Sequence, residues 1–229
     1  MDSNLKYIQE NFIESHDLCI RTAISTQKLT ELIQSKSIPA ASYKITSTHS
    51  ISSPLGDETT ITEEKQYFPK NNIQLIKNAV NKQETPESLK EKLKNEFINT
   101  LVNHPHKTVA YDGITTKKGA IDMQKLNLIF EEEWQHYCNG IYGICTLNAT
   151  GSEIAKKEIA VKKLIEFQKN TNSNQSKSEI ESTLISLNNQ FNEIANKFAP
   201  YQRASSSRGK YLDKALKLHN LSDKIQHYK

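Results

Sequence analysis

Residues 19–45 read CIRTAISTQKLTELIQSKSIPAASYKI, and the way this stretch folds decides how everything before residue 70 is read. Ser25 followed by Leu29, Leu32 and Ile33 predicts a capped helix over 26–36, because a small hydroxyl side chain accepts a backbone N–H that the first helical turn leaves free. Pro39 ends it. Just upstream, Leu18, Cys19 and Ala23 share a helical face, which predicts a short helix from about Ser15, and Ile24 and Ser25 leave room only for a tight turn. Two helices joined by so short a turn make a helix-turn-helix pattern.

Working outward, Leu5, Ile8, Phe12 and Ile13 predict a helix over 3–13 with Ser3 as its cap. After Pro39 the period changes to two: YKITSTHSIS (43–52) and TTITEEKQYF (59–68) flank SPLGDE (53–58), which predicts a β-hairpin or wing. Helices then return. Ile73, Ile76 and Val80 mark one; Thr85 and Pro86 open another carrying Leu89, Leu93, Phe97 and Leu101. Residues 104–119 read as irregular. A helix over 121–138 turns Leu126, Ile129, Phe130, Trp134 and Tyr137 inward and stops at Asn139 and Gly140, and another spans 152–168 with Ser152 as cap. Across 176–198, Ile180, Leu184, Leu187, Phe191, Ile194 and Phe198 form a stripe for packing against another helix. NTNSNQSKS precedes it as a loop, Ala199 and Pro200 close it, and a last helix is expected over 210–219. The expected fold is mainly α: an N-terminal module with a small hairpin over 1–70, then a helical bundle over 71–229. No internal repeat is present.

The chain of 229 residues has 36% hydrophobic and 24% charged residues, enough apolar content to bury a core. No apolar run approaches the length of a membrane span and the first residues lack a basic flank followed by an apolar stretch, so a cytoplasmic location with no membrane partner is expected. Three cysteines, Cys19, Cys138 and Cys145, are expected as free thiols. The net charge of +4 is unevenly placed: Lys plus Arg against Asp plus Glu is 7 to 9 over residues 1–70, 9 to 9 over 71–150, and 14 to 8 over 151–229.

The short helix, the turn at Ala23-Ile24-Ser25, the helix ending in Ser37-Ile38-Pro39 and the hairpin together resemble the MerR-type winged helix-turn-helix. That resemblance implies that Ser25, Thr26, Gln27 and Lys28 face the major groove, with Lys36 and Lys44 near phosphates. Glu31 departs from it, and residues 1–45 carry as many acidic as basic side chains, which weakens any grip on a polyanion. DNA binding is therefore the alternative rather than the first reading. A second resemblance runs through YIQENFIESHDLC (7–19), SIPAASY (37–43), EEEWQHYCNGIYGICTLNATGSEIAKKEIAV (131–161) and FAPYQRASSSRGKYLD (198–213): the chain is similar to a bacterial family usually described as natural-product biosynthesis proteins. It implies a role near small-molecule assembly.

Three local segments carry candidate chemistry. Cys145 follows a glycine-flanked turn at Tyr142, where His136 could serve as its base; the alternative is a small apolar residue in the core. His136, Cys138 and Cys145 lack the second ligand pair a zinc site needs, and Glu133 with His136 is a single Glu-x-x-His motif, so no metal and no cofactor is expected. Arg203, Ser206, Ser207 and Arg208 lead into the last helix, where free N–H groups and the dipole would favour an anion; an ordinary capped loop is the alternative. Glu158 is expected to pair with Arg203 or Arg208 and to orient them or act as base. The expected site is a C-terminal pocket lined by Trp134, Tyr142, Cys145, Glu158, Arg203 and Arg208, taking an anionic small molecule or carrier-bound intermediate. A homodimer through the long helix belongs to the regulator alternative.

Overall fold

A computed structural model describes residues 2–116, 120–170 and 176–228. Most of the loop expected over 170–178, and the end of the irregular stretch over 104–119, lie outside these residues.

The protein is mainly helical with a three-stranded antiparallel sheet. Its first part runs α1 (Ser3–Asn11), β1 (Phe12–Glu14), α2 (Ser15–Thr22), α3 (Thr26–Gln34), β2 (Tyr43–Ser52) and β3 (Glu58–Pro69), with sheet order β1-β3-β2. Two details differ from the sequence reading. Asp2 rather than Ser3 caps α1, its carboxylate accepting from the N–H groups of Asn4 at 2.8 Å and Leu5 at 3.2 Å. The helix also stops at Asn11, because Phe12 and Ile13 pair with Phe68 and Pro69 of β3 as strand residues. Both side chains stay buried, so the apolar pattern was right about burial and wrong about backbone. The turn between α2 and α3 places Ala23 in the left-handed region at φ 54°, and Ser25 caps α3 by accepting from Lys28 N–H at 3.1 Å.

The helical part follows as α4 (Asn72–Val80), α5 (Pro86–Asn103), α6 (Lys107–Ala110), α7 (Met123–Cys138), α8 (Ile141–Cys145), α9 (Gly151–Asn170), α10 (Lys177–Asn192) and α11 (Pro200–Arg203). A π-helical turn over Arg208–Asp213 leads into α12 (Lys214–Leu218). Thr85 and Pro86 open α5 as expected, and Ser88 completes a reciprocal cap with Thr85. Ser152 is not the cap of α9: the helix starts at Gly151, Thr150 Oγ1 accepts from Glu153 N–H, and the Ser152 hydroxyl is held by Thr100 on α5. Gly140 ends α7 at φ 76°, and a Cβ there would strike the Ala40 and Ala41 carbonyls. That close approach lets Ala40 N–H reach the Cys138 carbonyl at 2.8 Å and ties the first part of the chain to the second.

Four groups of buried side chains hold the molecule together. Ile13, Leu18, Leu29, Leu32, Ile38 and Phe68 pack with Ile76 of α4, so the helix just after residue 70 shares a core with the residues before it. Leu89, Leu93 and Phe97 of α5 meet Phe130 and Trp134 of α7 and Ile154 and Ile159 of α9. The stripe on α10 is used internally, where Leu184, Leu187 and Phe191 pack on Leu164, Leu212 and Leu216. Tyr7, Phe12, Tyr43, Tyr67 and Ala199 form a fourth cluster that joins α1 and the sheet to the segment before α11. Each fully buried side chain of this size contributes about 1.5–3 kcal/mol relative to exposure.

Candidate functional site

The apolar stripe predicts helix to residue 198, yet α10 ends at Asn192. The reason lies in Arg208, whose side chain is 0% exposed. Its Nε donates to the Asn196 carbonyl at 3.0 Å, Nη2 to the Ala195 carbonyl at 3.0 Å and Nη1 to Asn192 Oδ1 at 2.7 Å. The chain past α10 thus leaves the helix and turns its carbonyls onto a buried guanidinium, which also lies 5.1 Å over the Phe191 ring. All three hydrogen-bond partners are neutral, and among the described residues no carboxylate lies within 4 Å of Arg208. Burial, with the like charge of Arg203 as the next cause, pushes its pKa down to about 10.

Arg203 lies beside it and does have a carboxylate. Its Nε and Nη2 donate to Asp213 at 2.7 and 3.1 Å, both side chains being about nine-tenths buried. Burial opposes the Arg203 charge, and the Asp213 hydrogen bonds overcome it, raising the pKa. Two buried guanidinium groups therefore lie near one carboxylate, and of the two it is Arg203 that bonds to it. Gly209 is what lets them meet, because the Arg203 carbonyl occupies the space a Cβ would take.

This excess of positive charge sits behind a cleft of ≈ 540 Å³ between α1 and the segment after α10. Asn192, Ala195 and Asn196, the three residues that hold Arg208, line it, as do Lys6 with its ion partner Glu10 at 3.8 Å, Lys197 and the rings of Tyr7 and Tyr228. The two rings meet edge to face at 5.7 Å, and the Arg203 guanidinium lies 5.4 Å from the Tyr228 ring. Burial, then neighbouring Tyr228, pushes the Tyr7 phenol up to about 12, so it stays a neutral donor at ordinary pH. Asn196 Nδ2 ties the wall to α8 through the Gly143 carbonyl at 3.0 Å. A second cleft of ≈ 520 Å³, lined by Arg203, Asp213, Lys214 and Lys217, shares Pro200 and Tyr228 with the first.

The expected site residues divide between this region and others. Arg203 and Arg208 come together, but not with Glu158, whose ion partner is Lys162 at 4.0 Å. Ser206 Oγ donates to the Arg203 carbonyl and accepts from Gly209 N–H, so the loop bonds to itself instead of presenting a free anion nest. The Ser207 hydroxyl is buried with no partner among the described residues. Trp134 is a core residue stacked on Tyr137.

Glu158 belongs with Glu133. Tyr111 donates to Glu133 Oε1 at 2.7 Å, Tyr142 donates to Oε2, and His136 Nδ1 lies 3.4 Å from the same oxygen. Burial, with the Glu133 charge acting in the same direction, raises the Glu158 pKa, while Lys162 opposes it. Cys145 is a half-buried thiol packed against the helical core, and no hydrogen bond joins it to His136. Among the described residues no cluster of His, Cys, Asp and Glu could hold a metal.

Ser25, Thr26, Gln27 and Lys28 are exposed at the start of α3. Lys28, however, is paired with Glu31 at 3.2 Å, and Gln27 also reaches Glu31. Sequence reasoning missed Tyr7, Tyr228, Lys6 and Lys197, because α1 and the C-terminal residues meet only in the fold. Asn192 and Asn196, one turn apart beside the apolar stripe, were the signal available.

Residues 89–220 match the model of a family of unknown function, DUF6058, and the chain belongs to that family. The match spans α5 to α12, including the arginine pair, and leaves out the N-terminal sheet. No curated protein and no solved structure matches the chain. No helix among the described residues is long and apolar enough to cross a membrane.

Proposed function

We propose that this protein binds a small organic anion in the cleft between α1 and the segment after α10. The supporting observation is that the buried Arg208 guanidinium, bonded only to neutral groups among the described residues, lies directly behind that cleft and beside the Arg203–Asp213 pair. An uncompensated buried charge is costly, and arginine does not escape it by deprotonating at neutral pH. A carboxylate or phosphate in the cleft supplies the missing negative charge, with Lys6 and Lys197 at the rim and the Tyr7 and Tyr228 rings against its apolar body. In the biosynthetic setting that the sequence resemblance implies, the ligand is an acidic intermediate, free or attached to a carrier.

Thermal melts at fixed ionic strength, with a panel of carboxylates and phosphate esters beside their neutral analogues, test this. The expected result is a higher Tm with anions only, lost when Lys6 and Lys197 are both changed to Ala. Anions that act no differently from neutral analogues would overturn it.

A second reading is a DNA-binding regulator. What supports it is the order α1-β1-α2-α3-β2-β3 with sheet order β1-β3-β2, which is compatible with a winged helix-turn-helix, and a Ser25-capped α3 that exposes Thr26, Gln27 and Lys28. Several exposed cations of this module are already paired, Lys28 with Glu31, Lys44 with Glu64, and Lys65 with Glu14 and Glu63, while Arg21 and Lys36 are exposed with no ion pair among the described residues. Phosphate neutralisation supplies much of the affinity for DNA, so this surface is the weaker candidate. Salt-dependent retardation of duplex DNA that is abolished by Lys28→Glu would favour it.

A further inference from the structure

We propose that the outer edge of β2 pairs with the same edge of a second copy of this chain, joining two hairpins into a four-stranded antiparallel sheet about a two-fold axis. The hairpin of β2 and β3 is an arm. Residues 48–64 are exposed on both faces, and Ile51 and Ile61 are each 51% exposed, with Leu55 at 92%. A two-stranded ribbon with no core behind it is marginal in water. This one is nevertheless regular, its ladder running from Tyr43↔Tyr67 to Ser52↔Glu58 without a bulge.

One edge of the arm is unguarded. Among the described residues β2 has β3 as its sole neighbour in the sheet, which leaves alternate N–H and C=O groups along 43–52 facing out. Natural edges of this length are blunted by proline, bulges or inward charges. β2 has no Pro and no Gly, and its one lysine, Lys44, stands at the base of the arm. The opposite edge differs, since β3 carries Glu58, Glu63 and Glu64, which would face like charges in a second copy.

The occupant follows from self-complementarity. Outward-facing backbone groups alternate along a strand, so antiparallel registers about a two-fold differ in steps of two residues. With the axis at Thr48, Ile51 stands opposite Ile45 of the second copy, twice per dimer, on the face that also carries Ile61. In the same register Lys44 stands opposite Ser52, and no like charges meet. Moving the axis to Ser47 puts Ile45 opposite His49, and moving it to His49 puts two histidines face to face. Because the strands run antiparallel and each arm leaves its body at Tyr43, the two bodies lie at opposite ends of the joined sheet.

Ser52 gives a register-specific test that leaves the core untouched. The wild-type chain is expected to be a dimer by light scattering coupled to size exclusion. Ser52→Glu places a carboxylate opposite Lys44 of the second copy at two points and is expected to tighten the dimer; Ser52→Lys is expected to loosen it. Cross-strand charge pairs imply a change of about two- to thirtyfold in the dissociation constant for each variant. Within one hairpin Ser52 faces Glu58, so Ser52→Lys stabilises the arm itself and Ser52→Glu destabilises it, opposite to the dimer effect. A dimer that follows the hairpin's order of stability, a dimer indifferent to both variants, or a monomer at the highest concentration the protein tolerates would each overturn the proposal.

Discussion

The two ends of the molecule treat their charges in opposite ways. In the N-terminal module the ion pairs are exposed and closed: Lys28 with Glu31 and Lys44 with Glu64 neutralise each other on the surface, with side chains 42–60% exposed. In the C-terminal part, two guanidinium groups are buried around one carboxylate and do not balance. The sequence alone puts the excess of cations toward the C-terminus, but only the fold separates solvated charge from stored charge. Exposed pairs contribute about 0–1 kcal/mol, whereas removing one partner of a buried pair costs about 3–5 kcal/mol. An imbalance kept at that expense is what the proposed anion site rests on.

The contrast can be broken most forcefully at Asp213. Asp213→Asn leaves the buried Arg203 guanidinium without its carboxylate and beside the like charge of Arg208, and chemical denaturation is expected to show a loss of about 3–5 kcal/mol. A loss under about 1 kcal/mol would mean that solvent already screens the pair. Arg208→Met keeps volume and removes charge; a smaller loss of about 1–2 kcal/mol is expected, because the Ala195 and Asn196 carbonyls lose their donor. Lys28→Ala or Lys44→Ala in the other module is expected to stay within about 0.5 kcal/mol of wild type.

Titration sharpens the same comparison. Tyr7, Tyr43, Tyr111, Tyr137 and Tyr142 all have pKa values raised above 10.0, with burial the first cause in each. A raised acid stays protonated longer in the folded chain than in the unfolded one. Its contribution to stability is therefore complete below pH 10 and is lost as pH climbs through the folded value. Phenolate absorbance is expected to rise abruptly for these five at alkaline unfolding rather than along a gradual curve. Glu158 gives the smallest effect and the opposite working range. Its folded pKa is raised from 4.5, so what it contributes is present below that pH and is lost through the acidic to neutral range. Glu158→Gln is expected to raise Tm slightly at pH 7 and hardly at all at pH 4.

Much of the helical part was legible because its signals are local. Thr85 with Pro86, and Asn139 with Gly140, fix helix ends from within a few residues. The stripe on α10 was legible as a packing seam, though the partner it packs on is intramolecular. The larger misreadings involve distant partners, whereas the caps of α1 and α9 were missed by one or two residues. Phe12 and Ile13 continue the apolar pattern of α1, and only the end of β3 makes them a strand. Helix α10 stops short because Arg208, well beyond it in sequence, takes the next carbonyls. Arg203 and Arg208 were legible as neighbours because one short loop before the last helix carries both, but Glu158 was expected beside them from a neighbouring helix. Its position on α9 directs it to Lys162 and the Glu133 cluster instead. The tyrosine and asparagine walls of the cleft had no sequence signal stronger than the spacing of Asn192 and Asn196.

An iodide-soaked crystal would compare the two ends directly, since anomalous scattering locates each bound halide. The strongest site is expected in the cleft between Tyr7 and Tyr228, within reach of Lys197 and the Asn196 amide, with none along α3 or the hairpin. Iodide gathered on α3 while that cleft stays empty would contradict the charge asymmetry on which the functional reading rests.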